Sequence, residues 1–512
     1  MDDIQPEKKN AASETITQDS LQNANGLITT DKAKLDVAAE FLVIHEQQYG
    51  DYTKEEATRV RWKIDLRLVP MLFVTQTLCA IDKILISNAA LYGMKTDTHL
   101  TGKEYSWVGS IFFFGYLIAE FPSNALIQKL PVGKLAAISC MGWASTTMLL
   151  GACNNAAGLM VVRFIMGAFE APIVPALSIM TVMWYMKREQ PVRVAIWYSG
   201  FSSLFTGIIS YGVGHSHSAI TSWRLLFLVL GSFTFVWGLF IFFFLPDSPL
   251  NARFLSEREK FIAVHRVRGN KTGIENKTIK WYQVKEAFMD FRTYPPAIFA
   301  ITVNFINGAT GVFAAQIVSS FGYGPLQTVL LGMPTGMFMT FSALCVAIPN
   351  MWLRNMRVKI SSVFMLVPLV AALLVRHLPE SNRKGRLVSY YFMYFFWSAY
   401  PTMLSLAMAN TSGHSKKVTM NAILFFSYCL GNIVAPQFWI ASEAPHYSTG
   451  FNSCIAGAVI AVSMLIIYEV IVRWDNRKKA KAYGGEIIDG IEDAEDQLDI
   501  TDREKKTFKY IY

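Results

Sequence analysis

Hydrophobic residues in this chain gather into runs of about 20, the length of helix that crosses roughly 30 Å of hydrocarbon, and polar residues gather between the runs. The runs predict spans near 64–88, 105–126, 135–151, 157–183, 194–214 and 223–245, then near 296–317, 326–348, 359–376, 388–409, 418–440 and 451–473. Between the two sets lies the one long polar stretch that separates spans, from Pro246 to about Pro295. The pattern predicts an all-α membrane protein with twelve transmembrane helices in two six-helix bundles. The expected division is a tail over 1–63, a first bundle over 64–245, a central loop over 246–295, a second bundle over 296–473 and a tail over 474–512.

Loop charge sets the expected orientation. With the N-terminus inside, the cytoplasmic side receives Lys129, Lys134, Lys187, Arg188, Arg193, Arg354, Arg357, Lys359, Lys416 and Lys417, while the outer loops 152–156, 215–222 and 441–449 carry no Lys or Arg. Both termini are therefore expected in the cytoplasm. A loop holding Arg376, Arg383, Lys384 and Arg386 runs against this bias. In the central loop, Ser256-Glu257-Arg258-Glu259 reads as a capping box before a helical pattern ending at Gly269, and a second amphipathic piece runs from Trp281 to Phe291. The sequons at Asn270 and Asn276 fall on the inner side and are discounted. The tails, including an acidic run from Glu486 to Asp499, read as solvated and largely disordered.

Composition agrees with a bilayer as solvent: 52% of residues are apolar and 17% charged. The formal charge of +9 is spread through loops and tails rather than along one basic face, so nucleic acid is not an expected partner. The polar first 60 residues contain no signal-peptide pattern, which leaves the first span to act as its own signal. Six cysteines (Cys79, Cys140, Cys153, Cys345, Cys429, Cys454) stand singly in apolar stretches and read as packing residues, not metal ligands. No nucleotide loop, metal cluster or nucleophile-base pattern points to an enzyme, and no cofactor is expected.

An ionisable side chain inside a span costs at least about 2–3 kcal/mol on insertion scales, so each one needs a partner or a function. Asp82 and Lys83 stand in the outer part of the first span, and Arg163 and Glu170 on the fourth. Seven residues at about 100° each return Arg163 and Glu170 to within about 20° of one face. The first and fourth spans run in opposite directions, so Asp82 and Arg163 fall at comparable depth and can pair. Two readings fit: a proton-coupling site, with Asp82 and Glu170 as carriers and Lys83 and Arg163 facing an anion, or a static buried network. Glu120 on the second span reads as a partner for loop cations, and His215 and His217 as solvated residues at the outer mouth. In the second half Asn304, Asn307, Trp397, Tyr400, Asn421, Tyr428 and Asn432 offer hydrogen bonds without net charge, either to a substrate or between helices.

Several stretches in order resemble one family: Asp82-Lys83, Asn88-Ala89-Ala90-Leu91-Tyr92-Gly93, Tyr105-Ser106-Trp107-Val108-Gly109-Ser110-Ile111-Phe112, and Trp184-Tyr185 with Glu189-Gln190-Pro191-Val192-Arg193. Leu245-Pro246-Asp247-Ser248-Pro249, Gly413-His414-Ser415-Lys416-Lys417 and Gly431-Asn432-Ile433-Val434-Ala435-Pro436-Gln437 extend the match over about 60–475. The chain resembles the allantoate permease branch of the fungal anion:cation symporters in the major facilitator superfamily. The resemblance implies a central site, alternating access and proton-coupled symport of a small organic anion: a ureido acid such as allantoate, a vitamin carboxylate or similar. It also implies that Asp82, Lys83, Arg163 and Glu170 occupy coupling and recognition positions, with Lys83 where sugar-acid relatives carry Arg. Two stretches depart from the pattern: the Gln128–Lys134 loop lacks an Asp, and the stretch from Asn304 to Gly311 differs after Gly308.

The resulting expectation is a monomeric multi-pass transporter, in the plasma membrane or an internal one. Its partners are an organic anion, protons and the lipid bilayer, with Asp82 and Glu170 carrying protons and Lys83, Arg163, Asn307, Trp397, Tyr400, Asn421 and Asn432 holding substrate. A non-transporting nutrient receptor and a metabolite exporter are the alternatives on the same fold.

Overall fold

The computed structural model describes residues 41, 42, 45, 49–216, 218–268, 279–353, 355–483, 499–505 and 508–512, and these contain helices and no strand. The first long helix, α1 (Lys54–Leu91), starts where Thr53 and Glu56 form a reciprocal cap: each backbone N–H donates to the other's side chain, at 3.0 and 3.2 Å. It is followed by α2 (Glu104–Lys129), α3 (Val132–Leu150), α4 (Ala156–Glu170), α5 (Ile173–Trp184), α6 (Gln190–Trp197), α7 (Ser202–Gly214) and α8 (Ser222–Phe244). After the polar gap come α9 (Glu257–Arg268), α10 (Trp281–Met289), α11 (Tyr294–Ser320), α12 (Pro325–Gly332), α13 (Thr335–Trp352), α14 (Arg357–His377), α15 (Arg383–Met393), α16 (Tyr400–Ala409), α17 (His414–Val434) and α18 (Ser448–Tyr483).

Among the described residues, ten helical segments are long and apolar enough to cross a membrane. Two of the expected spans fall short. The one near 135–151 is α3, whose 19 residues are diluted by Lys134, glycines and hydroxyl side chains. The one near 388–409 is broken into α15, a 3₁₀ turn at Tyr394–Ser398 and α16, with Pro401 near the start of the last piece.

Both central-loop helices form where expected, and each serves a different half. The Ser256–Glu259 box closes at 2.8 and 3.3 Å. From α9, Glu259 pairs with Lys63 at 2.7 Å and Arg266 with Glu189 at 2.8 Å. From α10, Glu286 pairs with Lys416 at 2.8 Å. The loop without an Asp is supplied with one from elsewhere, because Asp247 accepts the Lys134 N–H at 3.0 Å. The cations that defied the orientation rule hold helix ends. Arg383 donates to Gly322 O at 3.2 Å, just past α11, Arg386 lies over the Phe321 ring at 4.6 Å, and Arg376 donates to Ser448 O at 3.2 Å.

The solvated-tail expectation is corrected at both ends. Leu42 is buried, and the Tyr49 ring packs on Phe261 of α9 at 5.8 Å. At the other end, Thr501, Asp502 and Tyr510 are buried against the helix bundle, because charged and amide groups at distant helix ends satisfy what composition reads as solvated. Gly269, the sequons at Asn270 and Asn276, His217, Arg354 and most of the acidic run lie outside the described residues.

Helices before residue 245 pack chiefly among themselves, α2 on α4 and α3 on α8, and so do those after 290, α11 on α17 and α18, and α14 on α18. The sets meet chiefly where α1 packs on α11, α2 on α17 and α7 on α12, and α7 also meets α13. At Gly200 and Gly336 the backbones themselves meet: a Cβ on Gly336 would lie 1.8 Å from Gly200 O. Ser203 locks the crossing by donating to Met333 O at 2.9 Å and accepting from Gly336 N–H at 3.0 Å. Gly336→Val is expected to destabilise the protein by about 1–3 kcal/mol, the usual cost of overpacking. Gly332→Ala is expected to be near neutral, since nothing lies within 4 Å of that position. Thermal unfolding of the two purified variants checks the contrast.

Candidate functional site

A cavity open to solvent lies between the two sets of helices. Lys83, Arg163, Phe112, Gln76 and Tyr198 line it from one side, and Asn307, Asn432, Tyr394, Trp397 and Tyr428 from the other. Broken helices build much of the wall. Tyr198, Gly200 and Ser202 come from the α6–α7 break, Thr335 and Gly336 from the start of α13, and Tyr394, Phe396 and Trp397 from the 3₁₀ turn before α16. Irregular backbone is tolerated at membrane depth where it faces such a cavity.

The four charged residues singled out from sequence do meet, but not in the expected pairs. Arg163 and Glu170 share the buried face of α4, at 2% and 0% exposure. Glu170 takes the ammonium of Lys83 as its ion-pair partner and accepts the Cys79 S–H at 2.8 Å. Asp82 turns away from the cavity, where it receives the indole N–H of Trp143 and, at 3.5 Å, the hydroxyl of Thr147. Neighbouring residues on a helix point about 100° apart, so only one of Asp82 and Lys83 can face the space, and Lys83 does. No ion pair joins Asp82 to Arg163 among the described residues, which corrects the pairing expected from depth alone.

Arg163 is left without a carboxylate. Its Nε and Nη2 are buried with no hydrogen-bond partner. The Phe112 ring lies near both cations, 6.0 Å from the Arg163 guanidinium and 5.9 Å from the Lys83 ammonium. Glycines set this approach: a Cβ on Gly115 would lie 1.9 Å from Phe164 O and one on Gly167 2.1 Å from Phe112 O, so α2 and α4 touch backbone to backbone. The charge facing the cavity is therefore positive, with both carboxylates behind the wall.

The opposite wall is neutral and cross-linked. Asn307 donates to Asn304 and Asn432 at 3.0 Å each, Asn432 donates to Asn304 at 3.1 Å, and Asn304 donates to Ala300 O at 2.6 Å. Beside them Trp397 stacks between Tyr198 at 5.9 Å and Tyr400 at 5.1 Å, and Tyr428 joins Phe113 at 6.0 Å. Tyr400 does not line the cavity but stacks on Trp397, which does. Asn421 is not brought to the site: it is exposed, two helical turns from Tyr428. Glu120 makes no ion pair among the described residues, contrary to the loop-cation expectation; it takes a long 3.5 Å contact from Asn124, and its other oxygen is buried without a partner. His215 is exposed, as expected.

Sequence reasoning missed Trp143, Cys79, Phe112, Gln76 and Tyr198. Gln76 lies seven residues before Lys83, so the same helical spacing that picked Glu170 from Arg163 would have found it. The other four carry no charge to mark them in an apolar run.

A model of the Major Facilitator Superfamily matches residues 72–436. The chain is 33% identical to the allantoate permease of Saccharomyces cerevisiae over 503 residues, covering 95% of this chain and 92% of that one. It is 33% identical to the thiamine pathway transporter THI73 of the same yeast over 471 residues, covering 91% and 88%. Among solved structures, the inward open conformation of the xylose transporter XylE from E. coli shares its fold with a TM-score of 0.59 at 14% identity, over 78% of this chain and 95% of that one.

Proposed function

The chain belongs to the major facilitator superfamily, as a multi-pass membrane transporter of the allantoate permease-like branch, and from that premise we propose that it carries a small organic anion together with protons by alternating access. The observation that supports this reading is the unpartnered Arg163 guanidinium, set beside Lys83 on the wall of a large cavity whose other wall is amide and aromatic. A buried cation without a partner is costly unless an anion visits it. Amides and stacked rings opposite suit the uncharged part of a ureido acid or a vitamin carboxylate, in keeping with the allantoate permease among its relatives.

In this reading α3 and the broken α15–α16 run complete twelve crossings, in bundles over 64–245 and 296–473, with both termini in the cytoplasm and the plasma membrane as the site of action. Apart from the mid-depth crossing of Gly200 and Gly336, cross-half bonds gather at the ends of the helices that this topology places outside. Tyr105 donates to Val312 O at 2.6 Å, Ala315 N–H to Ser87 at 2.8 Å, and Ser110 to Ile433 O at 2.7 Å. The conformation is then inward-open, sealed outside by these bonds. A proton competes with Lys83 for Glu170; when it wins, Lys83 is free to join Arg163 in holding the anion, which links the two cargoes.

The test is uptake of labelled ureido acids, vitamin carboxylates and dipeptides into vesicles carrying the protein, with and without an inward proton gradient. Gradient-dependent accumulation of one anion is expected. Binding without accumulation would favour a receptor, and accumulation only against an outward path would favour an exporter.

A further inference from the structure

The carboxy-terminal segment, residues 499–505 and 508–512, is seated in a groove built from the ends of five helices. Asp502, with no exposed surface, accepts from Arg292 at 2.6 Å and from Lys416 at 2.7 Å, and receives the Tyr510 hydroxyl at 3.0 Å. The Arg292 guanidinium lies 3.9 Å from the Tyr510 ring centre. Glu286, Asp290 and Asp502 lie close enough together to suggest a cation site. The cation there is the Lys416 ammonium, which donates to all three at 2.8, 2.9 and 2.7 Å.

The grip on α16 is made by backbone. Ile511 N–H donates to Asn410 Oδ1 and Asn410 Nδ2 donates to Ile511 O, both at 2.7 Å, just beyond the last residue of α16. Tyr510 makes the same reciprocal pair with Asn476 of α18, at 3.0 and 2.9 Å. Lys479 of α18 donates to the carbonyls of Asp502 and Lys505 at 2.6 and 2.9 Å, and His414 N–H at the start of α17 donates to Asp499 at 2.7 Å. Every one of these partners lies after residue 279. The segment thus ties the ends of α10, α11, α16, α17 and α18 to one another.

What this tie controls follows from where α16 begins. It is joined to α15 through the 3₁₀ turn at Tyr394–Ser398, which carries the cavity-lining Tyr394, Phe396 and Trp397, and its first residue, Tyr400, stacks on Trp397. At its far end Asn410 also donates to the Tyr468 hydroxyl of α18 at 2.8 Å, so the carboxy-terminal segment adds to a single direct bond between the two helices there. We propose that residues 499–505 and 508–512 are a tethered peptide ligand of this groove, which tightens the end of α16 onto α18 and so holds the inner mouth of the cavity open until the segment leaves. The proposal rests on the inward-open reading for the direction of the movement, and on the geometry of the groove alone for the docking.

Burial would raise the Asp502 carboxyl, but Arg292 and Lys416 beside it hold it below the usual carboxylate range. A depressed value means that the charge stabilises docking above the free carboxyl's titration near about 4 and that this contribution is lost as pH falls through the docked value. The Asp502 contribution to docking is therefore expected to be flat through the neutral range and to be lost only below about pH 4, whereas Lys479, lowered by burial to about 8, loses its charge above that value.

The test uses the full chain, reconstituted in liposomes, with spin labels at Leu130 and Val418, both exposed and at the inner ends of α2 and α17. Ending the chain after residue 498, or replacing Asp502→Asn, is expected to add a shorter-distance population in pulsed electron-spin measurements. A synthetic peptide of residues 499–512 is expected to remove that population from the truncated protein. Asn476→Ala, which cuts the reciprocal pair with Tyr510 and leaves the charge cluster and the Asn410–Tyr468 bond whole, should shift the distribution the same way. Truncated protein should still fold, because Arg292 and Lys416 keep Asp290 and Glu286 as partners. Distances unchanged in the truncated and Asn476→Ala proteins alike would overturn the clamp, and failure of the peptide to bind the truncated protein would overturn the groove as a ligand site.

Discussion

Glu170→Gln is expected to abolish accumulation driven by a proton gradient while leaving exchange of preloaded anion intact. In the wild-type chain Glu170 holds the Lys83 ammonium and the Cys79 thiol and is wholly buried, so its negative charge has those two neighbours and little else to answer it. A glutamine keeps the shape and an acceptor oxygen but never binds or releases a proton. Lys83 is then permanently released, as though Glu170 were always protonated, and anion binding no longer depends on the gradient. The gradient-dependent component should therefore fall to the background of vesicles without the protein. Two assays on the same vesicles decide it: the steady-state accumulation ratio under an imposed gradient, and counterflow without one. Complete retention of accumulation would remove Glu170 from the coupling step. Loss of both activities with normal folding would make the residue a structural anchor instead.

How much of this was legible depended on the residue. Charges inside apolar runs announce themselves through their insertion cost, and the helical period then places Arg163 and Glu170 on one face, which is where they lie. Partners were harder to read. Asp82 finds the Trp143 indole, a neutral donor 61 residues away in an unremarkable apolar stretch, and Lys83 takes the carboxylate that depth alone had left to others. The tails show the same limit from the other side. An acidic, polar end reads as solvated because composition registers only local character, yet Asp502 meets Arg292 across 210 positions of chain. Spans were legible wherever an unbroken apolar run exists; the 3₁₀ turn at Tyr394–Ser398 was not, because Trp397 and its neighbours are as apolar as any helix.

Arg163 carries the second large effect, and it separates recognition from coupling. Its Nε and Nη2 have no partner, its guanidinium lies near Phe112, and it faces the cavity from the same wall as Lys83. Arg163→Ala removes the fork that would grip a carboxylate and leaves a smaller, less positive wall. The expected result is a rise in the apparent KM for the transported anion by roughly ten- to a hundredfold, the equivalent of about 1.5–3 kcal/mol of charge-assisted bonding. Because the guanidinium is otherwise unpaired, its removal strands no buried carboxylate, and thermal stability should hold or improve. That sign distinguishes a ligand-binding arginine from one that braces helices, since breaking a buried ion pair costs about 3–5 kcal/mol. Arg163→Lys should recover charge without the planar fork and fall between the two. Titration of initial uptake rate against anion concentration, together with a melting curve for each variant, checks both parts. A destabilised Arg163→Ala protein with an unchanged KM would return the residue to helix packing and leave Lys83 as the sole cation for the anion.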